Sequence, residues 1–153
     1  MLTVKVDGVS DVVRNLGRVS GEFPKHIVAR LTHDIHDKSI DNAKKHNRTG
    51  KLEDNIELRI KGLDGEVFVD KTNTRVMWRG MPISYAVFVH FGTSPHKILP
   101  KKRRSLRWAG DGKFIFAKEV QHPGYKGDRF MYNAARDVIN KLAKISREEL
   151  NEL

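Results

Sequence analysis

Leu2, Val4 and Val6 alternate with Thr3, Lys5 and Asp7, the period-two pattern of a strand with one buried face, and Asp7-Gly8 closes it as a turn. An edge strand is predicted there. Ser10 can then cap a short amphipathic helix carrying Val12, Val13, Leu16 and Val19, which Gly21 ends. Pro24 suits the first turn of a second, longer helix over residues 24–46, in which Ile27, Val28, Leu31, Ile35, Ser39 and Ala43 share half of the helical wheel. The other half holds Lys25, Arg30, Asp34, Asp37, Lys38, Asp41 and Lys44, a mixed-charge face for solvent or a neighbouring subunit.

Asn47-Arg48-Thr49-Gly50 breaks this helix, and the alternation then returns with Ile56, Leu58 and Ile60. A turn at Leu63-Asp64-Gly65 predicts a hairpin, with Val67 and Val69 on one side of the returning strand and Phe68 on the other. Thr72-Asn73-Thr74 reads as a polar turn before a strand at 75–79. From Pro82 to Phe91 the chain is apolar on every side, which fits a buried strand or a short buried helix; the helix is preferred, ended by Gly92. Three short strands follow at 96–100, 105–108 and 114–117, the last two joined at Gly110-Asp111-Gly112. Asp128 can cap a long terminal helix whose Phe130, Met131, Ala134, Ala135, Val138, Ile139, Leu142 and Ile145 form a stripe wide enough to meet both a sheet and a second helix, with a fraying end from Arg147. The predicted class is α+β, a mainly antiparallel sheet with a long helix in the N-terminal half, a short buried helix and a long C-terminal helix.

With 153 residues, 39% of them hydrophobic and 31% charged, the chain is expected to form a single domain, 1–153, with a basic extended loop at about 95–127. No membrane span or signal peptide is expected, and the lack of cysteine excludes disulfides, thiol nucleophiles and thiolate metal sites. The net charge of +10 is unevenly placed: residues 95–130 hold ten Lys/Arg against three Asp/Glu, whereas residues 131–153 are balanced at four each. A field so concentrated favours a polyanion or an acidic protein surface, the bland alternative being a solvated loop.

Enzymatic chemistry is not expected. No nucleophile-elbow, phosphate-loop or dinucleotide signature occurs, and no catalytic residues or cofactor are assigned. His33 and His36 share a helix face beside Asp34 and Asp37, yet they lack the spacing and third ligand of a metal site; a solvated face is the preferred reading and no metal is assigned. His90 and His122 read as packed or hydrogen-bonded residues. The stronger signal is Lys101, Lys102, Arg103 and Arg104, followed by Arg107, Trp108 and Lys113. Clustered cations neutralise phosphates by counterion release, and Trp108 could stack on a base or a guanidinium; equally, the loop could be solvated and Trp108 a core residue.

Arg48-Thr49-Gly50-Lys51-Leu52, Tyr85-Ala86-x-x-Val89-x-Phe91-Gly92-Thr93, Leu106-x-Trp108 with Asp111-Gly112-Lys113, His122-Pro123-Gly124 and Phe130-x-x-x-Ala134 follow one another in an ordered set. The set resembles the small neck or tail-completion proteins of long-tailed bacteriophages, including minor tail proteins of the lambda Z type. His90 departs from the pattern, since relatives commonly carry an acidic residue before the Phe-Gly-Thr. The resemblance implies a non-enzymatic virion structural protein, assembled in the host cytoplasm, that forms a homo-oligomeric ring at the head-tail junction, with a hexamer favoured over a dodecamer. Its implied partners are a head-completion or connector protein, a tail terminator or tail tube protein, and double-stranded DNA passing through the lumen, with no membrane. Lys101, Lys102, Arg103, Arg104, Arg107 and Lys113 would contact DNA or a neighbouring ring. Tyr85, Phe91, Gly92, Thr93, Trp108, His122, Pro123, Gly124 and Phe130 would be the structural motif, with Tyr85–Thr93 and His122-Pro123-Gly124 as the two feet of the basic excursion. The alternative is a small basic nucleic-acid-binding protein or a toxin-like RNase.

Overall fold

The computed structural model describes residues 2–5, 21–46 and 51–152. The expected helix from Ser10 to Gly21 and the break at 47–50 lie largely outside them. Strand β1 (Thr3–Lys5) pairs antiparallel with β3 (Asp64–Val69), which also pairs with β2 (Ile56–Lys61), so β1 is an edge strand as expected. The β2–β3 hairpin turns at Gly62-Leu63, because Lys61 is already opposite Asp64. This is earlier than the expected Leu63-Asp64-Gly65. Gly62 supplies the positive φ that such a short connection needs, while Gly65 lies in the strand, so close to the Thr32 hydroxyl that a Cβ would overlap it.

Helix α1 (Phe23–Lys44) buries Phe23, Ile27, Val28, Leu31, Thr32, Ile35, Ser39 and Ala43, the expected stripe with two additions. The stripe packs on β2 and β3 and on the C-terminal helices. Its polar face carries the Arg30–Asp34 ion pair, one helical turn apart. In β3, Val67, Phe68 and Val69 are all buried, so both faces of this strand are covered; the Arg59 guanidinium lies 5.1 Å from the Phe68 ring centroid.

The expected polar turn at Thr72-Asn73-Thr74 is a single helical turn, α2 (Lys71–Thr74), because the Asp70 carboxylate caps it by accepting the Thr72 N–H. It leads into a separate two-stranded ribbon, β4 (Arg75–Trp78) with β5 (Met81–Ser84). The buried Thr74 hydroxyl lies 2.7 Å from both the Asp70 carbonyl and Ser84 Oγ, and Ser84 Oγ accepts the Ala86 N–H. Helix α3 (Ala86–Phe91) is thus shorter than the apolar run it occupies, since Pro82–Ser84 pair as a strand.

Two further antiparallel ribbons follow, β6 (His96–Ile98) with β9 (Val120–His122), and β7 (Leu106–Gly110) with β8 (Lys113–Ala117). The single long terminal helix divides into α4 (Phe130–Ile139) and α5 (Leu142–Glu152). Both then pack on α1, α4 through Phe130, Met131, Ala135 and Val138 and α5 through Ile145. Helix α5 runs through Glu152, past the expected onset of fraying at Arg147, and Arg30 donates to Glu149 at 3.1 Å and Glu148 at 3.4 Å, tying α5 to α1. The fold is α+β, with small antiparallel sheets, a long helix in the N-terminal half and a C-terminal helical segment.

Candidate interaction site

The backbone around α3 holds the base of the basic excursion. Gly92 has φ +83 and ψ −171, and its N–H bonds back to the Phe88 carbonyl. Thr93 then exchanges two hydrogen bonds with Tyr125, at 2.7 and 2.9 Å. A Cβ on Gly92 would overlap the Tyr125 carbonyl oxygen and stand 2.7 Å from Lys126 C and 2.8 Å from Gly127 N. Gly124 (φ +87) and Gly127 (φ +79) are equally constrained, the first against the Thr93 carbonyl and the second against Phe91 and Gly92. Three glycines therefore allow two stretches of backbone to touch with no side chain between them. Asp128 N–H and Arg129 N–H complete the seam by bonding the Val89 and His90 carbonyls, each at 3.0 Å.

Above the seam, β6 and β9 extend the pairing, with His96 opposite His122 and their rings stacked at 4.9 Å between centroids. His122 Nδ1 accepts the Gly124 N–H at 3.0 Å and so shapes the His122-Pro123-Gly124 corner. The expected two feet are here one joined structure. Asp128 was expected to cap the final helix; instead its carboxylate pairs with Lys45 Nζ at 2.8 Å and with His46 Nε2, fastening the seam to the end of α1. Arg129 occupies the cap position in left-handed conformation. Burial pushes the Asp128 carboxyl upward, but the hydrogen bonds and charges of Lys45 and His46 outweigh it and hold it below the usual carboxylate range.

Within the motif, Phe130 is fully buried and Tyr85 packs partly against the core, whereas Phe91 is exposed on the solvent side of α3. The apolar run is therefore buried on one face only, mainly at Ala86 and His90. The His90 ring meets Phe91 and Phe130 edge to face, with Nδ1 unpartnered. Burial chiefly, with the Arg129 charge, lowers its pKa below the ordinary histidine value, against an opposing pull from Asp128.

Lys101, Lys102, Arg103 and Arg104 are all exposed in the connection from β6 to β7, and none pairs with an acidic side chain among the described residues. With Pro100, Arg107 and Phe116 they line an open cleft of about 630 Å³. Arg107 lies over the Phe114 ring at 4.1 Å, and Lys113 is exposed near the β7–β8 turn. That turn is Asp111-Gly112, both at positive φ, one residue shorter than the expected Gly110-Asp111-Gly112. Trp108 is not a core residue: it lies exposed on the ribbon with Phe114, Ile115 and Phe116. These three and the Tyr125–Asp128 seam were missed from the sequence; the glycines at 124 and 127 were its one visible signal.

His33 is exposed, and His36 uses its ring nitrogens on Asp37 and on the Ile56 carbonyl. No cluster of three or more potential metal ligands occurs among the described residues. No described helix is long and apolar enough to cross a membrane. No protein family, curated protein or solved structure matches the chain.

Proposed function

We propose that this chain is a structural, non-enzymatic subunit of the head-to-tail junction of a long-tailed bacteriophage, a neck or tail-completion ring component. The observation that carries the reading is the excursion at 96–122: a ribbon with exposed apolar side chains and a basic root, rising from a glycine-interlocked base. An exposed apolar and basic surface on a glycine-interlocked base suits docking to a partner. The ring, a hexamer by preference, would join a connector or head-completion protein to a tail terminator or tail tube protein around double-stranded DNA. Removing the gene should then leave filled heads and separate tails; intact virions, with a protein that stays monomeric among its neighbours, would overturn the proposal. Lys101→Glu with Arg103→Glu should preserve the fold and impair joining, because exposed charges contribute within about 0.5 kcal/mol to stability.

The unpaired cations along an open cleft also favour a second reading, a small basic nucleic-acid-binding protein or toxin-like RNase. It requires isolated protein to bind nucleic acid with a steep salt dependence, the log–log slope falling by roughly one unit per phosphate contact removed. Unchanged binding after alanine replacement of Lys101–Arg104 excludes that route.

A further inference from the structure

We infer that the β7–β8 ribbon is an intersubunit arm, its apolar side chains seated in the groove between α3 and the β6–β9 ladder of a second copy of this chain. This rests on the reading of the chain as an assembling subunit. Residues opposite one another in an antiparallel pair share a face, so Arg107, Ala109, Phe114 and Phe116 lie on one side of the ribbon. Leu106, Trp108 and Ile115 lie on the other, with Lys113 at its tip. Phe114 is 58% exposed, Phe116 62%, Trp108 41% and Ile115 43%, so both faces keep large apolar side chains open to solvent even with Arg107 lying over Phe114.

A solvated antiparallel ribbon alternates apolar and polar faces, and two strands alone are marginal in water. A ribbon that exposes large apolar side chains on both sides belongs between two surfaces. Taking roughly 150–250 Å² per large side chain, the four exposed fractions amount to about 400 Å² of apolar surface. That is half of the approximately 800 Å² per partner of a standard interface. Backbone, Arg107 and Lys113 on the same arm supply further area.

The groove is the complementary feature. Phe88, Val89, Pro95, Ile98, His122 and Tyr125 line much of an open space of about 980 Å³. An apolar cavity of about 150 Å³ accepts one benzene ring, so several arm side chains fit. No residue of β7 or β8 lines the groove, so arm and groove are separate patches of one subunit. One patch meeting a different patch is the heterologous contact that closes rings. DNA is the poorer occupant for the arm, since its two strands carry only Arg107 and Lys113 as cations beside four exposed apolar side chains. Contact through the arm is also expected to resist salt, unlike contact through Lys101–Arg104.

Sedimentation and native mass spectrometry test this. F114S/F116S and, separately, I98E should each weaken self-association more than tenfold, as loss of buried anchors does, with unchanged circular dichroism. Mixing the two should restore dimers, since one intact arm then faces one intact groove, but not closed rings. Wild-type association by F114S/F116S, or no dimers on mixing, overturns the inference while leaving the phage proposal to the virion assay. A wild-type protein monomeric at every concentration also overturns it. Should a variant misfold, cysteine pairing decides, because the chain has no cysteine of its own: F116C mixed with I98C should form a disulfide-linked dimer on oxidation, and no crosslink refutes the contact.

Discussion

Gly92→Ala puts a methyl group where the chain crosses itself. Gly92 sits at φ +83 and ψ −171, a region essentially reserved for glycine, and holding alanine there costs about 1–3 kcal/mol. The methyl would also meet Tyr125 O, Lys126 C and Gly127 N, all backbone atoms that no rotamer change can move. Relief requires parting the Thr93–Tyr125 pair, two hydrogen bonds worth about 0.5–1.5 kcal/mol net each. The total is about 2–6 kcal/mol, a large share of the roughly 5–15 kcal/mol available to a domain. Gly112→Ala is the matched control, since Gly112 has φ +74 but nothing within 4 Å of the added Cβ. It should cost only the strain, about 1–2 kcal/mol. Urea denaturation followed by circular dichroism separates them, because a difference of about 2–3 kcal/mol moves the midpoint by about 1 M or more at ordinary slopes. If the two variants agree within about 0.5 kcal/mol, the close approach at Gly92 is not what holds the excursion.

Acid should weaken the fold in two stages. His90 has a folded pKa below its unfolded value near 6.5, so its contribution is complete above that pH and is lost as pH falls through the folded value. Asp128 is likewise lowered, so its contribution is complete above about 3.9 and is lost as pH falls through its still lower folded value. Stability measured against pH for His90→Leu should lack the first stage, and an unchanged profile would contradict the assignment. Thr74→Val should cost about 1–3 kcal/mol by depriving the Asp70 carbonyl and Ser84 Oγ of a buried partner; a midpoint equal to wild type would show that the pair is idle. Arg30→Ala should raise amide exchange in α5 more than in α1, since Glu148 and Glu149 lose their cross-helix partner, and uniform exchange across both helices would argue otherwise.

The stripe of α1 was legible because a helix repeats its buried face every 3.6 residues, and Ile27, Leu31 and Ile35 keep that period. β2 was legible from its alternation. The basic root was legible as well, since consecutive charges have no period to decode. The division of the terminal helix was hidden: its apolar stripe continues from Phe130 to Ile145, and the local signal at Asn140-Lys141 is weak. Asp128 was misassigned for a related reason. A carboxylate before a helix has a ready local partner, and only the approach of Lys45 and His46 offers a stronger one.

Residue order alone determined the buried face of α1, the alternation of β2, the hairpin turns at 62–65 and 110–112 to within a residue or two, and the position of the charge. It could not rank Phe114 against Phe130. Both stand in apolar surroundings along the chain, yet one is more than half exposed and the other has no exposure at all. Periodicity reports which side of its element a residue faces; burial depends on what is packed against that side, which the path of the whole backbone decides. The same holds for the glycines. The sequence marks Gly92, Gly112, Gly124 and Gly127 alike, and only tertiary contact distinguishes the open tip at Gly112 from the three that let the backbones at the base of the arm touch.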